Sequence, residues 1–248
     1  MATRNDSWWI ASTAIAYLAV VVVFIPFFIL STLVWLLTSW CDRKLVIYHM
    51  VLSLWCLLFI GLNPFWSLRV EGRSHLPKGA CLLACNHQSI VDILMLFTLF
   101  YPFKWVAKQE LFSVPLIGWI LRMGRNVPIA RGRAASAQQM MTRCQEVLRG
   151  GLPVLIFPEG SRSKTGQVGH FHHGVGRMAL AAGVPIVPIA LNGSLQTRYR
   201  AGIRWQRIPL VVHILPPMPP PAQEDEVPTV VSQLEATIRQ EVETIQGR

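Results

Sequence analysis

Acidic side chains are scarce in this chain: 13 Asp and Glu stand against 23 Lys and Arg in 248 residues, a net charge of +10. Charged residues of both signs reach only 15%, well short of the roughly 25% of an ordinary soluble domain, which disfavours a purely soluble enzyme. Cysteine is also sparse. The five thiols (Cys41, Cys56, Cys81, Cys85, Cys144) are odd in number and form no CxxC pair, which argues against a disulfide framework or a zinc ribbon. They read as reduced, packed thiols in a cytosol-like compartment, not as nucleophiles. No internal repeat is visible, and the Gly-x4-Gly-Lys spacing of a Walker loop is missing. Disorder is excluded as well, because 52% of the residues are apolar and such chains have core to bury.

What charge there is lies unevenly. Residues 1–68 carry a net +1, residues 69–218 a net +13, and residues 219–248 a net −4. The front of the chain is instead apolar. Ser7 to Cys41 runs 35 residues without a charge and Leu45 to Leu68 another 24, each beyond the ~20 residues that cross a bilayer as a helix. Trp8, Trp9, Trp35 and Trp40 near the ends of the first run suit a membrane interface. Pro26 predicts a kink or a break in that run. Two arrangements fit: a pair of full spans joined by Asp42-Arg43-Lys44, or a hairpin broken at Pro26 that dips into one leaflet. Either predicts an N-terminal membrane-embedded two-helix anchor over residues 1–65. Arg69, Arg73 and Lys78 then favour a membrane location with the rest of the chain on the cytoplasmic side.

From residue 66 to 248 strand-like and helix-like segments alternate. Ala80–Cys85 and Pro153–Phe157 are compact apolar runs, and each stops abruptly at a polar turn. Phe103–Ala107, Asn126–Ala130, Pro185–Leu191 and Leu210–Leu215 read as further strands, with Ser67–Glu71 as a short extended one. Ile90–Phe100, Pro115–Met123, the stretch around Ala137, Met141, Cys144 and Leu148, and Val175–Ala182 read as helices. Val227, Val231, Leu234, Ile238, Val242 and Ile245 mark the apolar stripe of a C-terminal amphipathic helix. The pattern predicts an α/β domain with a mixed, partly parallel sheet flanked by helices.

Chemistry concentrates where two strands give way to turns, the end at which open α/β sheets bind ligands. The first cluster is Asn86-His87-Gln88-Ser89-Ile90-Val91-Asp92. If His87 sits in the turn and Asp92 in the first turns of the helix, the carboxylate reaches back to the imidazole. It then fixes the tautomer and leaves a general base for a hydroxyl. Ser89-Ile90-Val91-Asp92 also fits a capping box, in which Asp92 only closes the helix start, and from spacing alone that is the plainer account. The second cluster is Phe157-Pro158-Glu159-Gly160-Ser161-Arg162-Ser163-Lys164. Its glycine, hydroxyls and guanidinium suit an anion, and a solvated basic turn is the plainer account. His170, His172 and His173 lack an acidic or cysteine neighbour in sequence, so no metal site is expected.

The two blocks together resemble the glycerolipid acyltransferases, closest to the 1-acyl-sn-glycerol-3-phosphate (lysophosphatidic acid) acyltransferase group. Gly124–Arg131 (GRNVPIAR) and Val184–Ile189 (VPIVPI) are similar to two further blocks of that family, and Lys108–Phe112 and Pro115–Trp119 also fit it. The likeness covers about residues 66–215. It implies that His87 deprotonates a glycerol hydroxyl, that Asp92 orients it, and that the alkoxide attacks an acyl thioester without an acyl-enzyme. It implies an acyl-acceptor site of Glu159, Gly160, Ser161 and Arg162, with Arg162 on the phosphate and Lys108 and Arg131 as secondary phosphate ligands. The implied partners are lysophosphatidic acid and acyl-CoA or acyl carrier protein, with no nucleic acid, metal or other cofactor. Ser161 stands where Thr is usual, and Ala130 where an acidic residue is frequent. Two alternatives stay open: the same chemistry on another lyso-lipid acceptor, and a non-catalytic membrane protein that binds anionic lipid through its basic face.

Overall fold

The computed structural model describes residues 24–197 and 207–247, and the chain divides into two compact units, residues 1–48 and 49–248. In the first, α1 has a described part covering residues 24–38, and its backbone is helical on both sides of Pro26. Residues 7–23 of the first apolar run lie outside the described residues. The chain then turns at Asp42, whose Oδ2 accepts from the Ile47 N–H at 2.6 Å, and α2 (Val46–Gly61) begins.

Here the structure corrects the sequence reading. The second apolar run does not become one long helix. Leu45 adopts a positive φ of 58° before it, α2 ends after 16 residues, and Trp66–Leu68 belong to strand β1 (Trp66–Glu71). Sixteen residues reach about 24 Å at 1.5 Å per residue, short of the ~30 Å hydrocarbon core. Among the described residues no helix is long and apolar enough to cross a membrane. This finding overturns the expected membrane-embedded two-helix anchor with its transmembrane helices, and the membrane location with a cytoplasmic face argued from them.

The second unit is built on one sheet. Among the described residues, β1, β2 (Leu82–Cys85), β3 (Lys104–Lys108), β4 (Val127–Ile129), β5 (Val154–Ile156), β6 (Ile186–Asn192) and β7 (Ile208–Ile214) lie in the order β1-β7-β6-β2-β5-β3-β4. Strands β6, β2, β5, β3 and β4 are mutually parallel. β7 runs antiparallel to β6, and β1 runs parallel to β7. The mixed, partly parallel α/β sheet expected from the sequence is what forms. The helices are α3 (Val91–Phe97), α4 (Ile117–Met123), α5 (Ala134–Arg149), α6 (Gly174–Ala182) and α7 (Val227–Gln246). Strands buried on both faces read as continuous apolar runs, which is why Leu82–Cys85 and Val154–Ile156 are apolar throughout.

The main core joins Leu82, Ala84, Val154 and Ile156 of the sheet to Met140, Cys144 and Leu148 of α5, Met178 of α6 and all six residues of the α7 stripe. Each such side chain contributes about 1.5–3 kcal/mol before the entropy of ordering it. On α5 the buried face is Met140, Cys144 and Leu148, so Ala137 and Met141 of the predicted face lie at its margins. At the end of β6, Gly193 has φ +88°, and a Cβ there would stand 2.0 Å from the Pro209 carbonyl oxygen. Only glycine lets β6 and β7 meet so closely. Arg73 donates to the Leu99 and Thr98 carbonyls at 2.8 and 3.0 Å, satisfying acceptors left over at the end of α3.

His49 on α2 is buried, with its ring stacked on Phe97 (centroids 4.7 Å) and edge-on to Phe103 (4.8 Å). Burial, helped by the Lys104 cation, lowers its pKa from 6.5 to about 3. The unfolded chain therefore takes up a proton near pH 6.5 that the folded chain refuses until about pH 3. Stability should fall across that window as pH falls, by on the order of 1 kcal/mol per pH unit from this group. Urea midpoints at pH 7 and pH 4 check this: His49→Leu should lose less on acidification than the wild type, and equal losses would remove the claim.

Candidate active site

The expected site residues gather at the carboxyl ends of four of the five parallel strands, with Asp92 in the first turn of α3. His87 follows β2, Glu159–Arg162 follow β5, Lys108 closes β3, and Arg131 lies two residues beyond β4. The register aligns them. Leu83 and Trp105 both pair with Leu155, so Asn86 and Lys108, three residues further along each strand, are level. At ~4.8 Å per strand they are about 10 Å apart across β5.

The turn after β2 is held from all sides. The Asn86 side chain extends the sheet, donating to the Leu191 carbonyl at 2.9 Å and accepting from its N–H at 2.7 Å. The Gln88 amide donates to the Gly166 carbonyl at 3.1 Å. The His87 carbonyl accepts from the Ser163 N–H at 2.7 Å, so Arg162 immediately precedes a direct tie to the histidine backbone. Asp92, wholly buried at the start of α3, accepts on one oxygen from His87 Nδ1 (2.8 Å), Gln88 N (2.6 Å) and Ser89 N (2.8 Å). Pairing with the imidazole and closing the helix start are thus not alternatives; one carboxylate oxygen does both. The other oxygen, Oδ1, is buried without a partner among the described residues.

A carboxylate can only accept, so the imidazole proton in this arrangement sits on Nδ1 and Nε2 keeps its lone pair. Nε2 makes no hydrogen bond among the described residues, and the side chain is 11% exposed. The ring stacks on Phe157, centroids 4.0 Å apart and planes 19° from parallel. An aromatic face in that position holds the ring in place. The sequence places Phe157 at the head of the second cluster but does not announce this contact with His87.

Glu159 braces the site from behind. Its Oε1 accepts from the His87 N–H at 2.8 Å and its Oε2 from the Gly169 N–H at 3.1 Å. Burial raises its pKa above the ordinary carboxylate value, with the two backbone donors acting the other way. Gly160 has φ +66°, a left-handed conformation that favours glycine in the turn. Ser161 and Arg162 are exposed. Lys108 pairs with Glu110 at 3.1 Å. The Glu110 pKa is lowered first by its own backbone N–H, then by Lys108, with a smaller share from Arg131. The structure therefore gathers His87, Asp92 and Glu159 into one network, while Lys108 pairs separately with Glu110 and Arg131 makes no hydrogen bond or ion pair among the described residues. On α7, Glu235 accepts from Phe171 N at 2.8 Å and pairs with His170 (3.1 Å) and Arg239 (2.6 Å). It fastens the loop that carries Gly169, and nothing in its sequence position off the apolar stripe announces that.

Four of the five thiols are packed as expected and unsuited to chemistry, whereas Cys41 is exposed. Burial pushes Cys81 to about 11 and Cys144 to about 12, and raises Cys56 and Cys85 as well, so little thiolate forms at neutral pH. Among the described residues no three His, Cys, Asp or Glu side chains group as metal ligands.

A parallel-strand edge carrying a carboxylate-held imidazole beside a glycine-bearing turn is an arrangement suited to base-assisted group transfer. Residues 67–192 match the family model described as Acyltransferase, and this chain belongs to that family. It is 38% identical over 149 residues to a chloroplastic 1-acyl-sn-glycerol-3-phosphate acyltransferase of Arabidopsis thaliana, covering 59% of this chain and 41% of that protein. It is 33% identical over 172 residues to the 1-acyl-sn-glycerol-3-phosphate acyltransferase of Pseudomonas aeruginosa, covering 68% and 66%. The chain spans about half the length of the curated relatives it matches first (43%, 41% and 52% of them). Its fold is that of the crystal structure of the 1-acyl-sn-glycerophosphate acyltransferase PlsC of Thermotoga maritima. The two superpose with a TM-score of 0.70 at 23% identity, covering 94% of this chain and 98% of that one.

Proposed function

We propose that this protein transfers an acyl group from a thioester donor, acyl-CoA or acyl carrier protein, to the free hydroxyl of 1-acyl-sn-glycerol-3-phosphate, giving phosphatidic acid. The observation that carries the reading is the His87–Asp92 pair at 2.8 Å with Nε2 left as acceptor. In the step, Nε2 takes the hydroxyl proton as the oxygen bonds to the thioester carbonyl carbon. The tetrahedral intermediate then expels the thiolate, which recovers the proton from the imidazolium. No bond to the protein forms. The thioester is already activated, so a base worth about 10²–10⁴ and good positioning meet the requirement. The relatives' names support the acceptor, and the +13 of residues 69–218 suits two phosphate-bearing substrates.

Arg162 is the proposed phosphate ligand, with Ser161 and the Gly160 backbone beside it and Lys108 and Arg131 further along the strand ends. Glu159 belongs to the same acceptor site as its brace, since both its oxygens are spent on backbone N–H groups. A guanidinium–phosphate bond contributes about 1.5–3 kcal/mol, so Arg162→Ala should raise the acceptor KM by roughly 10- to 100-fold. Steady-state kinetics with both substrates varied tests this. A rise confined to the thioester KM would assign the turn to the wrong substrate.

A further inference from the structure

Away from His87, between α4, β4 and α5, lies a cleft of about 460 Å³ whose lining includes Gln109, Arg122, Asn126, Ser136, Gln139 and Arg143. That volume falls within the range of small-molecule sites. The sequence builds it simply: Ser136, Gln139 and Arg143 recur at helical spacing and so share one face of α5. Its floor is fixed. Asn126 accepts from the Trp105 N–H at 3.1 Å and donates to the Leu121 carbonyl at 3.2 Å, and Ser136 Oγ accepts from the Ala130 N–H at 2.8 Å.

The charges above that floor are unbalanced. Lys108, Arg69, Arg177 and Arg239 each pair with a glutamate. Arg122 and Arg143 pair with no carboxylate among the described residues, and no acidic residue lines the cleft. Residues 104–149 hold eight Lys and Arg against two Glu, so the field is positive around it as well. Two guanidiniums that face a common cavity repel each other until an anion sits between them. A guanidinium grips phosphate through two parallel N–H bonds, while free Gln109 and Gln139 amides match the donor–acceptor edge of an adenine. The lining therefore suits a phosphorylated adenosine.

Gln109 follows Lys108, which is level with Asn86 about two strand spacings away. A ligand here lies on the same sheet edge as His87 but to one side of it. A thioester donor whose nucleotide is separated from its reacting carbon by a pantetheine arm has that shape. We propose that the Arg122–Arg143 cleft binds the phosphorylated nucleotide end of a coenzyme A thioester. The identity of the donor rests on the acyl-transfer reading; the anion site itself does not.

Titration calorimetry of the full chain with adenosine 3′,5′-bisphosphate tests the site without any turnover. The wild type should bind, and more weakly as salt rises. Arg122→Ala and Arg143→Ala should each raise Kd about tenfold or more, and the double variant should abolish measurable binding. Arg149→Ala, outside the cleft on α5, should bind as the wild type does. Unaltered thermal transitions would show that the exposed arginines are not needed for folding. In turnover assays the acyl-CoA KM should rise in the same variants while the lysophosphatidic acid KM stays within twofold. The site is overturned if the double variant binds the bisphosphate like the wild type, if only the lysolipid KM moves, or if only a carrier-protein donor is affected. A wild type that binds the bisphosphate through these arginines yet transfers no acyl group would sink the proposed reaction and leave the site standing.

Discussion

Replacing His87 by alanine should lower kcat for acyl transfer by about 10²–10⁴, the worth of a positioned general base, while lysolipid and thioester still bind. The separation of rate from binding follows from where the imidazole sits. Its backbone N–H and carbonyl are tied to Glu159 and Ser163, and alanine keeps both ties. The turn therefore persists; the Asp92 bond and the Phe157 stack go with the ring, and the loss of rate is that of the Nε2 base. His87→Gln is a useful companion, since its amide can still reach toward Asp92 but offers no base at neutral pH. Both variants should bind an unreactive thioether analogue of the donor as the wild type does. Unchanged turnover in either would leave a non-catalytic lipid-binding protein as the better account.

Strand ends and the chemistry on them were legible in the sequence because burial on both faces makes parallel strands apolar throughout, and the polar residue that follows marks the edge. Leu82–Cys85 before Asn86-His87 and Val154–Ile156 before the Glu159 turn are such cases. The α7 stripe was legible for the same kind of reason: all six of its apolar positions are buried. The apolar front misled because the length of a charge-free run is not the length of a helix. Asn63-Pro64 is a turn signal inside the second run, and Asn63 Oδ1 does accept from the Phe65 N–H there at 2.9 Å. A window that counts only charge passes over it.

Other features have no signature in one dimension. The choice between capping box and dyad looked exclusive because each was read as a spacing, whereas a carboxylate oxygen has room for three donors. The bracing role of Glu159 depends on Gly169 coming back beside it, ten residues later. Glu235 reaches Phe171 across 64 residues, and the Arg122–Arg143 cleft needs α4 and α5 to converge. Contacts of this kind are set by tertiary packing, which local pattern does not encode.

Asp92→Asn should be the most damaging conservative change in the molecule, lowering kcat on the order of 10³–10⁴, the scale seen when a buried carboxylate is lost from behind a catalytic imidazole. The geometry leaves the amide no good orientation. With its oxygen placed on the three donors of His87, Gln88 and Ser89, its NH₂ occupies the position of Oδ1, which has no partner among the described residues. A buried donor left unpaired costs about 1–3 kcal/mol. With the amide flipped, NH₂ faces three N–H groups, and relief requires the imidazole to shift its proton to Nε2, the atom that must accept from the substrate. The first orientation loses stability together with the charge that supports the imidazolium; the second loses the base outright. Kinetics beside a denaturant titration distinguishes this from a cap alone. If Asp92 only closes α3, the variant should lose stability in that range while kcat among the folded molecules stays within a few-fold of the wild type.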